Sequence, residues 1–145
     1  QMVAALDYLK NKNAEGKSSF ESSLKDYSKL IKTKSAIFIV SDFLYDPDTI
    51  TKVISKFSAH KVKLIQILDD MEVKLDLKGE FKLKDVETKG VLKTFIGPFL
   101  KKHYHEKMEE HIKKLRWIAD HEGVDFYSFT TSMPIYDAFY KMLLD

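Results

Sequence analysis

Carboxylate and hydroxyl side chains follow each apolar run that predicts a core strand. They are Ser41 and Asp42, then Asp69, Asp70 and Glu72, and finally Thr130 and Thr131. In an open parallel sheet, ligand sites lie beyond the carboxyl ends of the strands. Oxygen ligands gathered there suit a hard cation such as Mg²⁺, which takes few protein ligands and keeps its waters. The competing interpretation is that these aspartates cap the helices and turns that follow them.

The histidines and glutamates of a predicted long helix lack the spacing of a zinc site. A zincin helix has its second histidine four residues after the first, with a glutamate following the first. Here His105 and Glu106 are followed by His111, which the helical rotation places on a different face. Two weaker pairings remain, His105 with Glu109 and His103 with Glu110. The alternative is a solvated helix surface of i,i+4 charge pairs.

Other catalytic signatures are missing from the sequence. The 5 glycines form neither a phosphate loop nor a nucleophile elbow. The absence of cysteine excludes disulfides, thiolate metal sites and cysteine nucleophiles. We therefore expect no enzymatic activity. The alternative is a Mg²⁺-dependent phosphoesterase, in which strand-end acids hold the metal that polarises the phosphoryl oxygen. Its acids would be Asp42, Asp69, Asp70 and Glu72.

Length and composition indicate one soluble domain spanning residues 1–145. Apolar residues make up 44% of the chain and the formal net charge is +2. No apolar run approaches the roughly 20 residues that span a bilayer, and no leader sequence opens the chain. We therefore predict a cytoplasmic protein. Arg116 is the one arginine among 24 basic residues, which disfavours nucleic-acid binding because phosphate recognition relies on the arginine fork.

Hydrophobic periodicity predicts alternating helices and strands. Helical spacing in residues 2–9 indicates a first helix, and Ser18 or Ser19 can cap a second. The run 36–40 predicts a strand buried on both faces. Asp46 and Pro47 start a third helix, and a second buried strand over residues 62–68 follows. A strand, a helix and a strand in this order predict a βαβ unit with parallel strands.

The second half of the chain changes period before returning to core elements. Val73, Leu75 and Leu77 alternate with charged residues, as do Phe81 and Leu83, with Gly79 between the two runs, which predicts a half-exposed β-hairpin within residues 73–95. Val91 to Phe95 can add a further short strand. A long helix runs from Pro98 to a C-terminal cap at Gly123. A third core strand spans residues 124–130. Ser132 is expected to cap a last helix with four inward residues, namely Ile135, Phe139, Met142 and Leu143.

The order of these segments resembles one protein family along nearly the whole chain. The resemblance is carried by Ile39-Val-Ser-Asp-Phe43, by Ile65-Gln-Ile-Leu-Asp-Asp-Met-Glu72, by residues 83–90 and by the ending 123–134. They resemble the domain of unknown function 58 family, which is similar to von Willebrand factor A domains and often accompanies MoxR-type AAA+ ATPases. The resemblance implies a three-layer, Rossmann-like parallel sheet with an inserted β-hairpin. It also implies a non-enzymatic protein–protein interaction domain that partners a MoxR-type ATPase.

The resemblance implies the remnant of a cation site. A von Willebrand A domain holds its cation with three loops. Asp42 matches the aspartate of the third loop, and Ser18 stands at the threonine position of the second, where it keeps only a hydroxyl. The first loop has no counterpart, which implies a chain truncated at its N-terminus. Two oxygen ligands cannot hold Mg²⁺ tightly, so we expect weak Mg²⁺ binding at most and no other cofactor.

The resemblance also implies an uncovered sheet edge. The absent first strand would lie beside the strand that ends at Asp42. Without it, Ala36 to Val40 become an apolar edge strand with open backbone groups, which proteins seldom leave uncovered. We expect a homodimer through residues 36–40, or a partner protein at the same edge. We expect neither nucleic acid nor membrane as a partner.

Overall fold

The computed structural model describes Tyr8 and residues 20–75, 79–84 and 91–144. Helices and strands alternate along the chain, as predicted. The helices are α1 (Phe20–Leu30), α2 (Pro47–Ser55), α3 (Asp70–Lys74), α4 (Pro98–Glu122) and α5 (Ile135–Leu144). The strands are β1 (Ala36–Ser41), β2 (Lys61–Leu68), β3 (Gly79–Lys84), β4 (Val91–Ile96) and β5 (Asp125–Thr130).

Three of the strands form a parallel sheet in the order β1-β2-β5. Ile39 pairs with Leu64 across β1 and β2, and Leu64 pairs with Phe126 across β2 and β5. The parallel direction follows from the crossover helices α2 and α4, which return the chain to the start of the next strand. Strands β3 and β4 form a separate antiparallel sheet. The predicted Rossmann-like α/β fold with an inserted hairpin is thus confirmed.

One face of the parallel sheet, here called the inner face, carries the main core. Its strand residues include Ile39, Val62 and Leu64, which pack against α2 and α4. Ile50, Val53 and Ile54 of α2 are buried, as are Leu115, Ile118 and Ala119 of α4. Each of the valine, leucine and isoleucine side chains contributes roughly 1.5–3 kcal/mol when fully buried. This burial fixes the two helices against the sheet.

The opposite, outer face is covered over only part of its width within the described residues. Met142 and Ala138 of α5 pack on Ile65, Tyr127 and Phe129 of β2 and β5. On β1, the outward side chains Phe38 and Val40 are each 58% exposed. The prediction that residues 36–40 are buried on both faces was therefore wrong, because α5 packs on β2 and β5 and leaves β1 bare.

The last helix also differs from its prediction. Met142 is its one buried residue, whereas Ile135, Phe139 and Leu143 are exposed. Asp137 and Lys141 form a polar stripe on this helix, and the predicted inward residues lie on the opposite, apolar side. The sheet is contacted by Met142 and Ala138, at one margin of that apolar side, so periodicity found the stripe but not the part of it that packs.

One strand of the hairpin was predicted in the wrong place. Residues 70–74 form the short helix α3, and the hairpin is made by β3, which contains residues 81–83, and by β4, which contains residues 91–95. Residues 76 and 77 lie outside the described residues. A capping box on Asp69 and Glu72 starts the helix there, and this local bonding outweighs the alternation of Val73 and Leu75. Leu75 ends the helix in a left-handed conformation with φ 41°.

Other predicted elements agree with the structure. Asp46 caps α2 by accepting the Asp48 amide over 2.9 Å, with Pro47 in the first turn. Tyr8 is helical, while the rest of the predicted first helix lies outside the described residues. Among the described helices, none has the length and apolar character needed to cross a membrane. The single domain over 1–145 stays a prediction.

Gly123 ends α4 in the left-handed region, at φ 66°. A Cβ added there would meet nothing within 4 Å, so a Gly123→Ala substitution adds backbone strain without a clash. We expect it to lower the free energy of unfolding by about 1 kcal/mol, as judged from the cost of left-handed backbone for residues with a Cβ. Urea unfolding of the two proteins measures the difference. Gly123→Asn is the control and should cost less, because asparagine tolerates this conformation; equal losses would contradict the explanation.

Candidate functional site

The segment after β1 is a tight turn built on the Asp42 carboxylate. Its Oδ1 accepts hydrogen bonds from the Leu44 amide and the Ser41 hydroxyl, each over 3.2 Å. The Ser41 oxygen in turn accepts the Phe43 amide over 3.1 Å. Short polar side chains that bond nearby amides favour such turns. Asp42 is thus exposed at the carboxyl end of β1, and one of its carboxylate oxygens is committed to its own loop.

Phe43 holds this turn in place although its own backbone is strained. Its φ of 53° lies in the left-handed region, which costs a residue with a Cβ roughly 1–2 kcal/mol. Its side chain is fully buried in the inner core, which offsets that cost. Nε2 of His111 on α4 donates a hydrogen bond to the Phe43 carbonyl oxygen over 2.7 Å. His111 therefore positions the strand-end loop, a role that the sequence did not reveal.

A fully buried glutamine connects the ends of all three parallel strands. Nε2 of Gln66 on β2 donates to the Asp42 carbonyl oxygen over 2.8 Å. The Ser128 hydroxyl of β5 donates to Gln66 Oε1 over 2.9 Å. A buried amide is tolerated when its polar atoms have partners, and no buried side-chain polar atom of the described residues lacks one. The sequence signal for this network was Gln66 itself, a polar residue within the otherwise apolar run 64–68.

Asp69 and Glu72 cap the short helix α3. Oδ1 of Asp69 accepts the Met71 amide over 2.8 Å, and the Glu72 carboxylate accepts the Asp69 amide over 2.8 Å. Oδ2 of Asp69 accepts the Thr131 hydroxyl over 3.1 Å. These bonds are those that the capping interpretation of the sequence predicts. They also join the loop after β2 to the loop after β5.

Asp70 makes a second connection between the same two loops. Its Oδ1 accepts the Ser132 hydroxyl over 2.9 Å, and Lys74 Nζ lies 3.7 Å from Oδ2. The Ser132 hydrogen bond and the Lys74 charge hold the pKa of Asp70 below its usual value, although partial burial acts in the opposite direction. The Thr130 hydroxyl is 2.9 Å from the Ser132 hydroxyl and completes the cluster.

The structure thus brings together some of the predicted site residues. Asp69 and Asp70 meet hydroxyls from the end of β5, whereas Asp42 forms its hydrogen bonds within its own loop. No group of three or more histidine, aspartate and glutamate side chains that could hold a metal is found in the described ranges. Ser18 lies outside those ranges, so its pairing with Asp42 stays a prediction.

The acidic and histidine residues of α4 mostly form a charged surface. Lys107 bonds Glu110 over 3.2 Å, and Lys113 lies 3.6 Å from Glu109, as i,i+3 and i,i+4 pairs. Such pairs on exposed helices contribute a few tenths of a kcal/mol. The metal pairings suggested for His103 and His105 therefore use glutamates that already have lysine partners on the same helix.

The outer edge of β1 presents backbone groups that pair with no strand among the described residues. Ser35 accepts the Lys61 amide over 3.0 Å, and Ile37 lies opposite Val62, so the ladder with β2 uses Ser35 and the odd-numbered residues that follow. The N–H and C=O groups of Ala36, Phe38 and Val40 therefore point away from β2. No strand of the described chain pairs with them. We call these three residues the β1 edge.

An open apolar groove runs along the β1 edge. Its volume is about 460 Å³, and it is lined by all the residues from 37 to 41, so it lies against the side of the strand. Leu24 and Tyr27 of α1, and Ile31 directly after it, form another part of its lining. We call it the edge groove. Its lining offers apolar contacts beside backbone groups that can bond to another strand.

The fold and this site define the class: an α/β protein with a Rossmann-like parallel sheet, a hydrogen-bonded network at its strand ends and an apolar groove along the β1 edge. The profile described as "Protein of unknown function DUF58" matches residues 1–114, and the chain belongs to this family. The family resemblance inferred from the sequence is confirmed at this level. No curated protein and no solved structure matches the chain.

Removing the buried amide should destabilise the strand ends. In Gln66→Met, the Ser128 hydroxyl and the Asp42 carbonyl lose their partner in a buried site, which costs about 1–3 kcal/mol of unfolding free energy. Ser128→Ala breaks one of the two bonds and should cost less. Because both changes act on one network, the double variant should lose less than the sum, as measured by denaturant unfolding. Strictly additive losses would show that the network does not act as a unit.

The Asp70 contacts should make stability depend on acid pH. A carboxylate whose folded pKa is depressed adds stability above its unfolded pKa, and this contribution disappears as the pH falls through the lower folded pKa. Asp70→Asn should therefore reduce the loss of unfolding free energy across that acidic window. Ser132→Ala should also reduce this loss of unfolding free energy, since it removes the main cause of the lowered Asp70 pKa. Urea unfolding at a series of acidic pH values measures both, and unchanged pH profiles would contradict the assignment.

Proposed function

We propose that this chain is a non-enzymatic protein-interaction domain that binds a partner by strand addition at the β1 edge. The observation that carries the proposal is the open row of N–H and C=O groups on Ala36, Phe38 and Val40, which lies beside the apolar edge groove. In strand addition, main-chain hydrogen bonds provide affinity and adjacent pockets select side chains. The β1 edge supplies the main-chain hydrogen-bonding groups, and the edge groove supplies a pocket for side chains.

The exposed apolar residues beside this edge support the same proposal. Phe38 and Val40 are each 58% exposed on the outer face, and Ile67 of β2 is 41% exposed. Parallel sheets are normally covered on both faces, and exposed apolar patches commonly mark interaction sites. A partner strand at the β1 edge would place its own side chains next to Phe38 and Val40.

The proposed partner is a MoxR-type AAA+ ATPase. This part of the proposal rests on the resemblance to von Willebrand A-like domains and not on the geometry of the edge. A fold alone does not define a partner; the strand-addition site supplies the physical means of binding one. On this proposal the domain works in the cytoplasm, where such an ATPase has its nucleotide.

The strand-end contacts favour this proposal over a Mg²⁺-dependent phosphoesterase. That activity would need Asp42, Asp69, Asp70 and Glu72 as metal ligands or acids. Asp69 and Glu72 already close the capping box of α3, and Asp70 accepts the Ser132 hydroxyl. Recruiting these carboxylates to a metal would break bonds that hold the loops together.

A proline at the β1 edge tests the proposal. The Val40 amide points away from β2, so Val40→Pro removes an edge donor without breaking the ladder, and proline is tolerated at such edge positions. We expect it to weaken binding to a purified MoxR-type ATPase of the same organism about tenfold or more, since a lost hydrogen bond of about 1.4 kcal/mol gives that factor. Surface-immobilised binding measurements provide the readout.

The matched control is Val40→Ala, which shortens the same side chain but retains its N–H. Circular dichroism melts establish that both variants are folded. Equal affinity of the proline and alanine variants would contradict strand addition at this edge. No binding by the unmodified chain would contradict the ATPase as partner.

A further inference from the structure

The β1 edge has a charge of opposite sign at each of its ends. Lys34 precedes the strand and Asp42 follows it, and both side chains are exposed. Between them lie the apolar residues Phe38 and Val40. A segment that is basic at one end and acidic at the other is complementary to itself in the antiparallel direction. The edge therefore matches a second copy of the same strand.

We infer that the β1 edge binds the β1 edge of a second copy of this chain, antiparallel and about a two-fold axis at Phe38. This inference rests on the proposed function, because it uses the same strand-addition site. It names the second copy as the occupant of that site when the ATPase is absent, so that the two partners compete for one edge. Two-fold dimers are the commonest homo-oligomers, and their interfaces bring the same patch together from both copies.

The open backbone groups define the register of the pairing. In antiparallel strands, residues that exchange both N–H···O bonds lie directly opposite each other. With the axis at Phe38, this residue lies opposite its own copy, and Ala36 lies opposite Val40 at both ends. All three edge residues then pair with edge residues. Moving the axis to Ile37 or Ile39 would leave Val40 or Ala36 opposite a residue outside the edge.

The same register pairs the charges. Lys34 of one copy falls opposite Asp42 of the other, twice in the dimer, because the axis relates the two ends of the strand. Opposite charges facing each other across strands are favourable, and like charges are unfavourable. The Asp42 carboxylate uses Oδ1 within its own loop, and Oδ2 has no hydrogen bond to any described residue. A second bond to a lysine is therefore compatible with the turn.

The pairing also covers apolar surface that the chain alone leaves exposed. On the outer face, the two Phe38 rings become cross-strand neighbours at the axis, with Val40 near Ala36 on each side. The two parallel sheets join into one sheet in the order β5-β2-β1-β1-β2-β5, and neither copy keeps a free β1 edge. This removes the liability of an exposed apolar edge strand.

Engineered cysteines test the register, because the chain has no cysteine of its own. In Phe38→Cys the two sulfurs face each other across residues whose Cα atoms are about 5.5 Å apart in such a pair, a separation that disulfides span. We expect mild oxidation to give a covalent dimer on non-reducing gels. Ala36→Cys and Val40→Cys should each stay uncrosslinked alone and crosslink when mixed.

Light scattering of the unmodified chain gives the necessary reference, with a dimer mass expected whether or not Mg²⁺ is added. Lys34→Glu should raise the dimer dissociation constant about tenfold, as two facing pairs change from opposite to like charge. Lys32→Glu is the matched control, since the register gives Lys32 no partner in the edge. High ionic strength should reduce the difference between the two variants.

The outcomes separate this inference from the proposed function. A monomer at all concentrations, or crosslinking of Val40→Cys alone in place of Phe38→Cys, would overturn the two-fold pairing. If Val40→Pro still weakened binding to the ATPase, the strand-addition site would remain valid with a different occupant. If Val40→Pro bound the ATPase as well as the unmodified chain does, while Phe38→Cys still formed the covalent dimer, the ATPase would be excluded as the partner of this edge. The self-association would then stand alone.

Discussion

A parallel sheet must have apolar cover on both of its faces, and the rest of this structure depends on how far that requirement is met. On the inner face it is met by α2 and α4, whose buried residues fix the direction and spacing of all three strands. On the outer face, α5 covers β2 and β5 but not β1. Packing on the inner face fixes the arrangement of the strands and helices. The incompletely covered outer face, at β1, is where we expect binding.

The strand-end network depends on the inner core as well. Parallel strands bring the ends of β1, β2 and β5 to one edge, so Gln66 can reach both the Asp42 carbonyl oxygen and the Ser128 hydroxyl. The buried side chain of Phe43 and the His111 bond then hold the turn after β1 in a left-handed conformation. Packing thus provides the rigidity, and the polar bonds select the loop conformation.

The sequence predicted those parts of the fold that follow from strong, local or repeated signals. The βαβ unit, the cap at Asp46 and the long helix ending at Gly123 each have a clear physical cause within a few residues. Residues 73–75 and the burial of α5 were not predictable in the same way. The alternation of residues 73–75 predicts a strand and the capping box at Asp69 predicts a helix, and the sequence does not say which signal is stronger. The periodicity of α5 shows an apolar stripe but not that only Met142 and Ala138 of it contact the sheet. Gln66 and His111 act through contacts distant in sequence, which no local pattern encodes.

The contrast between the carboxylates and the β1 edge explains why the proposal concerns binding. Asp69 bonds nearby amides and hydroxyls through both carboxylate oxygens, Asp70 contacts Ser132 and Lys74, and Asp42 uses one of its two oxygens within its own loop. The backbone groups of Ala36, Phe38 and Val40 pair with no strand among the described residues, and a row of outer N–H and C=O groups is matched most completely by another strand. Because apolar side chains lie beside these groups, water is a poorer partner for this surface than a polypeptide strand. A polypeptide partner satisfies both the hydrogen bonds and the apolar surface, and this double requirement makes the edge the strongest candidate site of the described chain.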